Sequence, residues 1–167
     1  DTPDNPWKTI YVYGKNIPSE WTEVKQGAIE TNIYQNVYQN YHQGLITEKW
    51  YKELQHSWNW KPDETVLTDK PVKTSILFAT GKDAAGEEKI IIDKNNNLDF
   101  SDDVPFVVPV VVWDQPEANL IHVVDVTVEV LSGGKIINRN LPLLVVKDKR
   151  RNILLVNFPE HAVTEWD

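Results

Sequence analysis

Cysteine is absent from all 167 residues. That excludes disulfides, thiolate nucleophiles, thiol redox chemistry and cysteine-ligated zinc within this chain. Methionine is absent too, even at position 1, so the chain reads as one processed or cut ahead of Asp1. Long apolar runs are missing. The longest, Val104 to Trp113, is interrupted by Pro105 and Pro109 and falls short of the roughly 18 residues a spanning helix requires. No basic n-region with an apolar h-region opens the chain. The polar start, Asp1-Thr2-Pro3-Asp4-Asn5-Pro6, fits a mature extracytoplasmic protein whose signal peptide has gone, and fits a trimmed chain equally well. Basic side chains are in deficit, 17 against 25 acidic, for a net charge of -8. A phosphate-binding surface needs the opposite sign, so nucleic acid is not an expected partner.

What is present divides by type. All 6 tyrosines and most of the 7 tryptophans precede position 61, while the 4 phenylalanines come later. Beyond about position 70 the apolar residues are chiefly Val, Ile and Leu, suited to a pleated surface. At roughly one domain per 150 residues, and with no Gly/Ser linker, the expectation is a single β-rich domain over 1–167. Its aromatic, partly helical part covers 1–65 and its strands 70–160. The fold class is mainly β (α+β): an antiparallel sandwich or barrel-like meander with one or two helices in the first third.

A first strand is expected over Thr9–Tyr13, closed by Gly14. Ile29, Ile33, Val37 and Tyr41 recur every four residues as a helical stripe ending at Gly44. Thr47 can cap a second helix running to about Ser57, with Trp50 and Leu54 on one face. Val72–Thr80 and Lys89–Ile92 read as a hairpin. Phe106–Trp113 suits an edge strand or a bent one. Val124, Val126, Val128 and Val130 alternate with polar residues, one face buried and one wet. Ser132-Gly133-Gly134-Lys135 turns that strand into Ile136–Val146, and Lys147–Asn152 turns again into Ile153–Phe158.

One loop points to chemistry. Ile90-Ile91-Ile92 runs into Asp93-Lys94-Asn95-Asn96-Asn97-Leu98-Asp99-Phe100-Ser101-Asp102-Asp103. Oxygen-bearing side chains stand at loop positions one, three and five (Asp93, Asn95, Asn97). Position seven, Asp99, can offer its carbonyl, and Asp102 or Asp103 can close the shell. Calcium takes six to eight hard oxygens at flexible angles, and this every-other-residue spacing supplies them. Residues 82–103 hold seven acids against three bases, half the chain's excess, which a dication would relieve. Two features depart from helix-loop-helix calcium sites: Leu98 stands where glycine makes the sharp turn, and position twelve is Val104. The other reading is an Asx-rich turn in which the asparagines bond their own backbone. Two neutral asparagines among the ligands imply weak affinity, on the order of 10⁻⁴ to 10⁻³ M.

Other constellations carry less. His42, His56, His122 and His161 are scattered, and Glu53 with His56 lacks a second histidine for zinc. There is no Gly-x-Ser-x-Gly and no phosphate loop. Asp114 and Glu117 read as solvated carboxylates in one loop rather than a catalytic pair, and Lys147–Arg151 as a solvated turn. Trp58 and Trp60 flank one residue. In extended conformation both indoles would face one side, either as core packing or as a platform for stacking on sugars.

Taken in order, Gly44-Leu45-Ile46-Thr47-Glu48 leading to Trp50 and Leu54, then Trp58-Asn59-Trp60-Lys61-Pro62-Asp63, Pro71-Val72-Lys73 and Ile92-Asp93 to Asp103 resemble the region ahead of the thioredoxin-like domain in extracytoplasmic TlpA-type redoxins. The resemblance implies a non-catalytic, extracytoplasmic accessory module, with an oxidoreductase domain following Asp167 or missing. That family's catalytic cysteines have no counterpart here. Calcium at Asp93, Asn95, Asn97, Asp99, Asp102 and Asp103 is the expected cofactor. The alternative is a secreted carbohydrate-binding module using Trp58 and Trp60.

Overall fold

The computed structural model describes residues 11–111 and 122–158, in which strands predominate and two helices lie in the first third. One sheet has the order β1 (Thr22–Glu30), β2 (Ser75–Lys82), β3 (Glu88–Ile92), β4 (Phe106–Val107), every pairing antiparallel. The other is built around β7 (Lys135–Asp148). Its antiparallel neighbours are β6 (His122–Ser132) and β8 (Ile153–Asn157), and β5 (Val110–Val111) joins it in parallel. Both sheets are open, so the sandwich forms and the barrel does not.

The strands follow from their patterning. Val124, Val126 and Val128 are buried while Asp125 between them is exposed. Opposite stand Leu143 and Val145 of β7, and facing these across the sandwich are Ile29, Ile76, Ile90 and Ile92 of the first sheet. Gly133 and Gly134, at φ +56 and +73, form the two-residue turn between β6 and β7; such a turn matches strand twist only with positive φ at both positions. The first sheet is covered on its other face as well. There Leu77, Ala79 and Ile91 pack with Trp21 and Phe100. Burial on both faces explains why three consecutive isoleucines suit β3.

The helices are α1 (Ile33–His42) and α2 (Glu48–Ser57). Asn32 caps the first, its side chain accepting from Gln35 N at 3.0 Å, and Thr47 caps the second. Gly44 at φ +73 ends α1 and lets Leu45 N reach Asn40 O at 2.9 Å. Val37, Tyr38, Ile46, Tyr51, Leu54 and Leu67 form a core belonging to this helical pair. Among the described residues no helix is long and apolar enough to cross a membrane.

Three expectations are corrected. The helical stripe does not begin at Ile29: that residue lies in β1 opposite Ile76, and the Asn32 cap sets the helix start. Residues 11–13 belong to no strand, and 9–10 lie outside the described residues. The strand that leads the first sheet is Thr22–Glu30, a mostly exposed edge whose polar sequence shows no alternation. Phe106–Trp113 is not one strand. Its chain leaves the first sheet after Val107 and enters the second at Val110, with Pro109 O accepting from Lys147 N at 2.8 Å. Trp113, Asp114, Glu117 and His161 lie outside the described residues.

Segment 68–72 is tied to α1 by two buried glutamines. Gln35 donates to Thr68 O at 2.7 Å and accepts from Thr68 N at 3.0 Å. Gln39 does the same for Val72, at 3.0 and 2.9 Å, and the two amides are linked at 3.0 Å. Each side chain substitutes for a strand partner. Gln39→Leu would leave both polar groups of Val72 unmatched in a buried place. The expected loss is at least about 1–3 kcal/mol, the cost of one such group, read by urea unfolding.

Candidate metal centre

The loop leaves β3 at Asp93, which is wholly buried. A buried carboxylate is tolerable only when hydrogen-bonded. Its Oδ1 accepts from Asn97 N at 2.9 Å and its Oδ2 from Leu98 N at 2.8 Å, curling the chain back over its own start. Asn95 Oδ1 accepts from Asn97 N at 3.2 Å, Asn97 Oδ1 from Asp99 N at 2.7 Å, and Asp99 Oδ1 from Ser101 N at 2.9 Å. These are successive Asx turns. Leu98, standing where glycine is usual, adopts φ +67. The left-handed conformation that the curl needs is thus present without glycine, at a cost of about 1–2 kcal/mol for a side chain with a Cβ. Partial burial against the outer core offsets it.

Phe100 anchors the loop by packing into that core. Residues 14–16 clasp it from outside: Lys15 N donates to Leu98 O at 2.9 Å, and Phe100 N to Lys15 O at 3.0 Å. Asn16 Nδ2 reaches both oxygens of Asp99 at 2.9 Å. Those contacts hold the Asp99 carboxyl below its ordinary pKa. Gly14 lies against the Phe100 ring so closely that a Cβ there would stand 2.3 Å from a ring carbon.

The remaining acids behave differently. Asp102 Oδ2 accepts from the side-chain amides of Asn95 and Asn97 at 2.7 and 3.1 Å. Asp103 Oδ1 accepts from Lys94 N at 3.3 Å, and Lys94 Nζ is 3.7 Å away. Its Oδ2 is buried with no hydrogen-bond partner among the described residues, and its side chain is only 3% exposed. Burial raises its carboxyl from 3.8 to about 6; Lys94 opposes the rise, while the charges of Asp102 and Asp93 add to it.

So Asp93, Asn95, Asn97, Asp99, Asp102 and Asp103 come together in one small loop, as the sequence implied. Their oxygens are engaged largely with the loop's own amides. Among the described residues no group of three or more His, Cys, Asp or Glu could by itself hold a metal ion. A hard cation would therefore depend on the asparagine oxygens and a backbone carbonyl as well as the acids. It would also need Asp102 to exchange amide hydrogens for the ion. Comparisons with protein-family models, curated proteins and solved structures find no match.

Trp58 and Trp60 lie elsewhere, half-buried at the rim of the helical core. Trp58 is the C-cap of α2 and Asn59 has φ +48, so the segment is not extended. The two rings are 6.4 Å apart and tilted by 45°, with Tyr34 packed against both at 5.8 and 5.1 Å. His122 stacks on Phe106 at 4.1 Å, while Glu53 and His56 are exposed on α2. In the Lys147–Arg151 turn, buried Asp148 accepts from Arg150 N and Arg151 N at 2.8 and 3.1 Å. Sequence reasoning passed over Asn96. It sits between two candidate ligands, at φ +56, with a buried side chain.

The raised Asp103 pKa has a definite sign. Between about pH 4 and 6 the folded protein keeps a proton that the unfolded chain has released, so stability falls as pH rises through that window. In chelator, Asp103→Asn is expected to be the more stable protein at pH 7 and to lose that advantage by pH 4. Melting curves of both proteins measure it. A difference that stays constant from pH 4 to 7 contradicts the assignment.

Proposed function

We propose that this chain is a non-catalytic, extracytoplasmic module whose 93–103 loop holds calcium, and that it serves a thioredoxin-like oxidoreductase as its accessory part. The observation that carries the cation is Asp103 Oδ2: a buried carboxylate oxygen without a donor among the described residues, in a loop that also holds Asp93 and Asp102. Such an oxygen is costly unless something positive or hydrogen-bonding meets it. Lys94 is the cation beside it among the described residues, and its ammonium is 3.7 Å from the other oxygen. The seven acids of residues 82–103 add electrostatic attraction for a dication. The redoxin kinship rests on the motif order from Gly44 to Asp103. Lacking cysteine, the chain itself carries no thiol chemistry, so any disulfide exchange would belong to its partner.

Calcium bound to the folded state alone stabilises by mass action. With affinity on the order of 10⁻⁴ to 10⁻³ M, 10 mM calcium is expected to raise the melting temperature by roughly 3–10 °C over a chelator control. Asp103→Asn should abolish the rise. No heat on calorimetric titration and no melting shift in the wild-type protein would remove the cation. The pairing with a redoxin is tested separately: a Trp-Cys-x-x-Cys segment encoded downstream of Asp167 supports it, and a stop codon there counts against it.

The second reading, glycan binding at Trp58 and Trp60, has one observation in its favour: Tyr34 beside them is 43% exposed. Against it, the three rings are tilted or set edge-on to one another rather than coplanar. Oligosaccharide titrations followed by tryptophan fluorescence test it, a flat response counting against the platform.

A further inference from the structure

Between α1, the approach to β2 and the 93–103 loop lies a cavity of about 170 Å³. Asn36 and Asn40 line it from the helix, Lys73 and Thr74 from the approach, Ser75 from the start of β2, and Asn96 from the loop. Val12, Val72 and Leu98 supply apolar wall. The space admits several waters or one small molecule.

Asn96 is what makes this cavity more than a packing gap. It is 2% exposed, and both Nδ2 and Oδ1 lack hydrogen-bond partners among the described residues. Native proteins match such groups almost without exception, with protein, water or ligand. The neighbouring groups have specified spare capacity. Asn40 commits its amide hydrogens to Asn36 O and Oδ1 at 2.7 and 2.6 Å, which leaves it acceptor capacity. Asn36 gives one hydrogen to Glu30 at 3.3 Å and keeps one. The Lys73 ammonium already donates to Asn96 O at 2.6 Å and lies 3.9 Å from Glu129.

We propose that this cavity binds a neutral, polyhydroxylated ring, one sugar unit, with Asn96 as its main polar contact. Among the described residues the lining offers a spare donor on Asn36, a spare acceptor on Asn40 and both on Asn96, and a hydroxyl both donates and accepts. The single charge on the lining among the described residues, Lys73, is already engaged by a carbonyl and a carboxylate, which favours a neutral ligand over an anion. The valines and Leu98 suit the C–H faces of a ring. The site is separate from Trp58 and Trp60, and it stands whether or not the loop holds a cation.

The test is a titration of ¹⁵N-labelled protein, in chelator, with glucose, galactose, mannose and N-acetylglucosamine. Each is used as the free sugar and as the terminal unit of a disaccharide, the two arms separating a free ligand from the end of a glycan. At least one is expected to shift the side-chain amide signals of Asn96, Asn36 and Asn40 at millimolar concentration. Asn96→Gly keeps a residue that accepts φ +56 while deleting the amide; it should fold and weaken that binding at least tenfold. Ser75→Leu, which narrows the cavity from the strand side, should do likewise. The proposal is overturned if no sugar moves these signals. It is equally overturned if binding is undiminished in both variants, or is lost on Trp60→Ala and retained in Asn96→Gly.

Discussion

A carboxylate without solvent access holds the shape of the region on which the molecule's parts converge. Asp93 sits at the end of β3 with its own N–H on Leu77 O at 3.0 Å and both oxygens on the amides of Asn97 and Leu98. Its charge can remain buried because the chain folds back to satisfy it, so the curl of the loop is a condition of that burial. From the curl radiate the other tethers. Lys94 O accepts from Thr127 N of β6 at 2.7 Å, Asn96 O from Lys73 at 2.6 Å, and Leu98 O from Lys15 at 2.9 Å. The loop thereby touches both sheets, the approach to β2 and the leading segment. A loop so tethered can act as a structural hub before any ligand is considered, and a cation would reinforce a shape that hydrogen bonds have already drawn.

Much of the fold was legible because its signals are local. Val124 to Val130 alternate; Thr47 precedes a helix with Trp50 and Leu54 on one face; two glycines stand between two strands. Each names its element without help from the rest of the chain. What escaped reading depends on distant partners. β1 is a polar edge strand whose register is set by β2, and nothing within Thr22–Glu30 announces it. Ile29 falls in phase with the stripe of α1 by coincidence, and only the Asn32 cap separates strand from helix. The 106–111 run is apolar throughout, so it cannot show that its two halves serve different sheets.

The candidate centre was legible in its membership and less so in its chemistry. Alternating Asx residues mark a curled loop whether the oxygens face an ion or backbone amides, and both uses share most of the same hydrogen bonds. Leu98 shows why a missing glycine was a weaker objection than it looked: the conformation can be imposed on leucine when its side chain gains cover. Asn96 was invisible for the opposite reason. Its even position in the loop took it out of the ligand pattern, and only three-dimensional packing brings it beside Asn36 and Asn40. A signal did exist in the repeated Tyr-Gln-Asn of 34–36 and 38–40. Amides at i, i+1, i+4 and i+5 share one side of a helix, and a helix with amides on one side and tyrosines on the other has two kinds of neighbour.

The passage from β4 to β5 fixes more than a connection. Two residues, Val108 and Pro109, separate a rung of one layer from a rung of the other, too short a leash for the two layers to part at that edge. Shearing them would break the Lys147–Pro109 contact and unzip both edges together. A pull on either layer at that edge is therefore passed along the chain to the other.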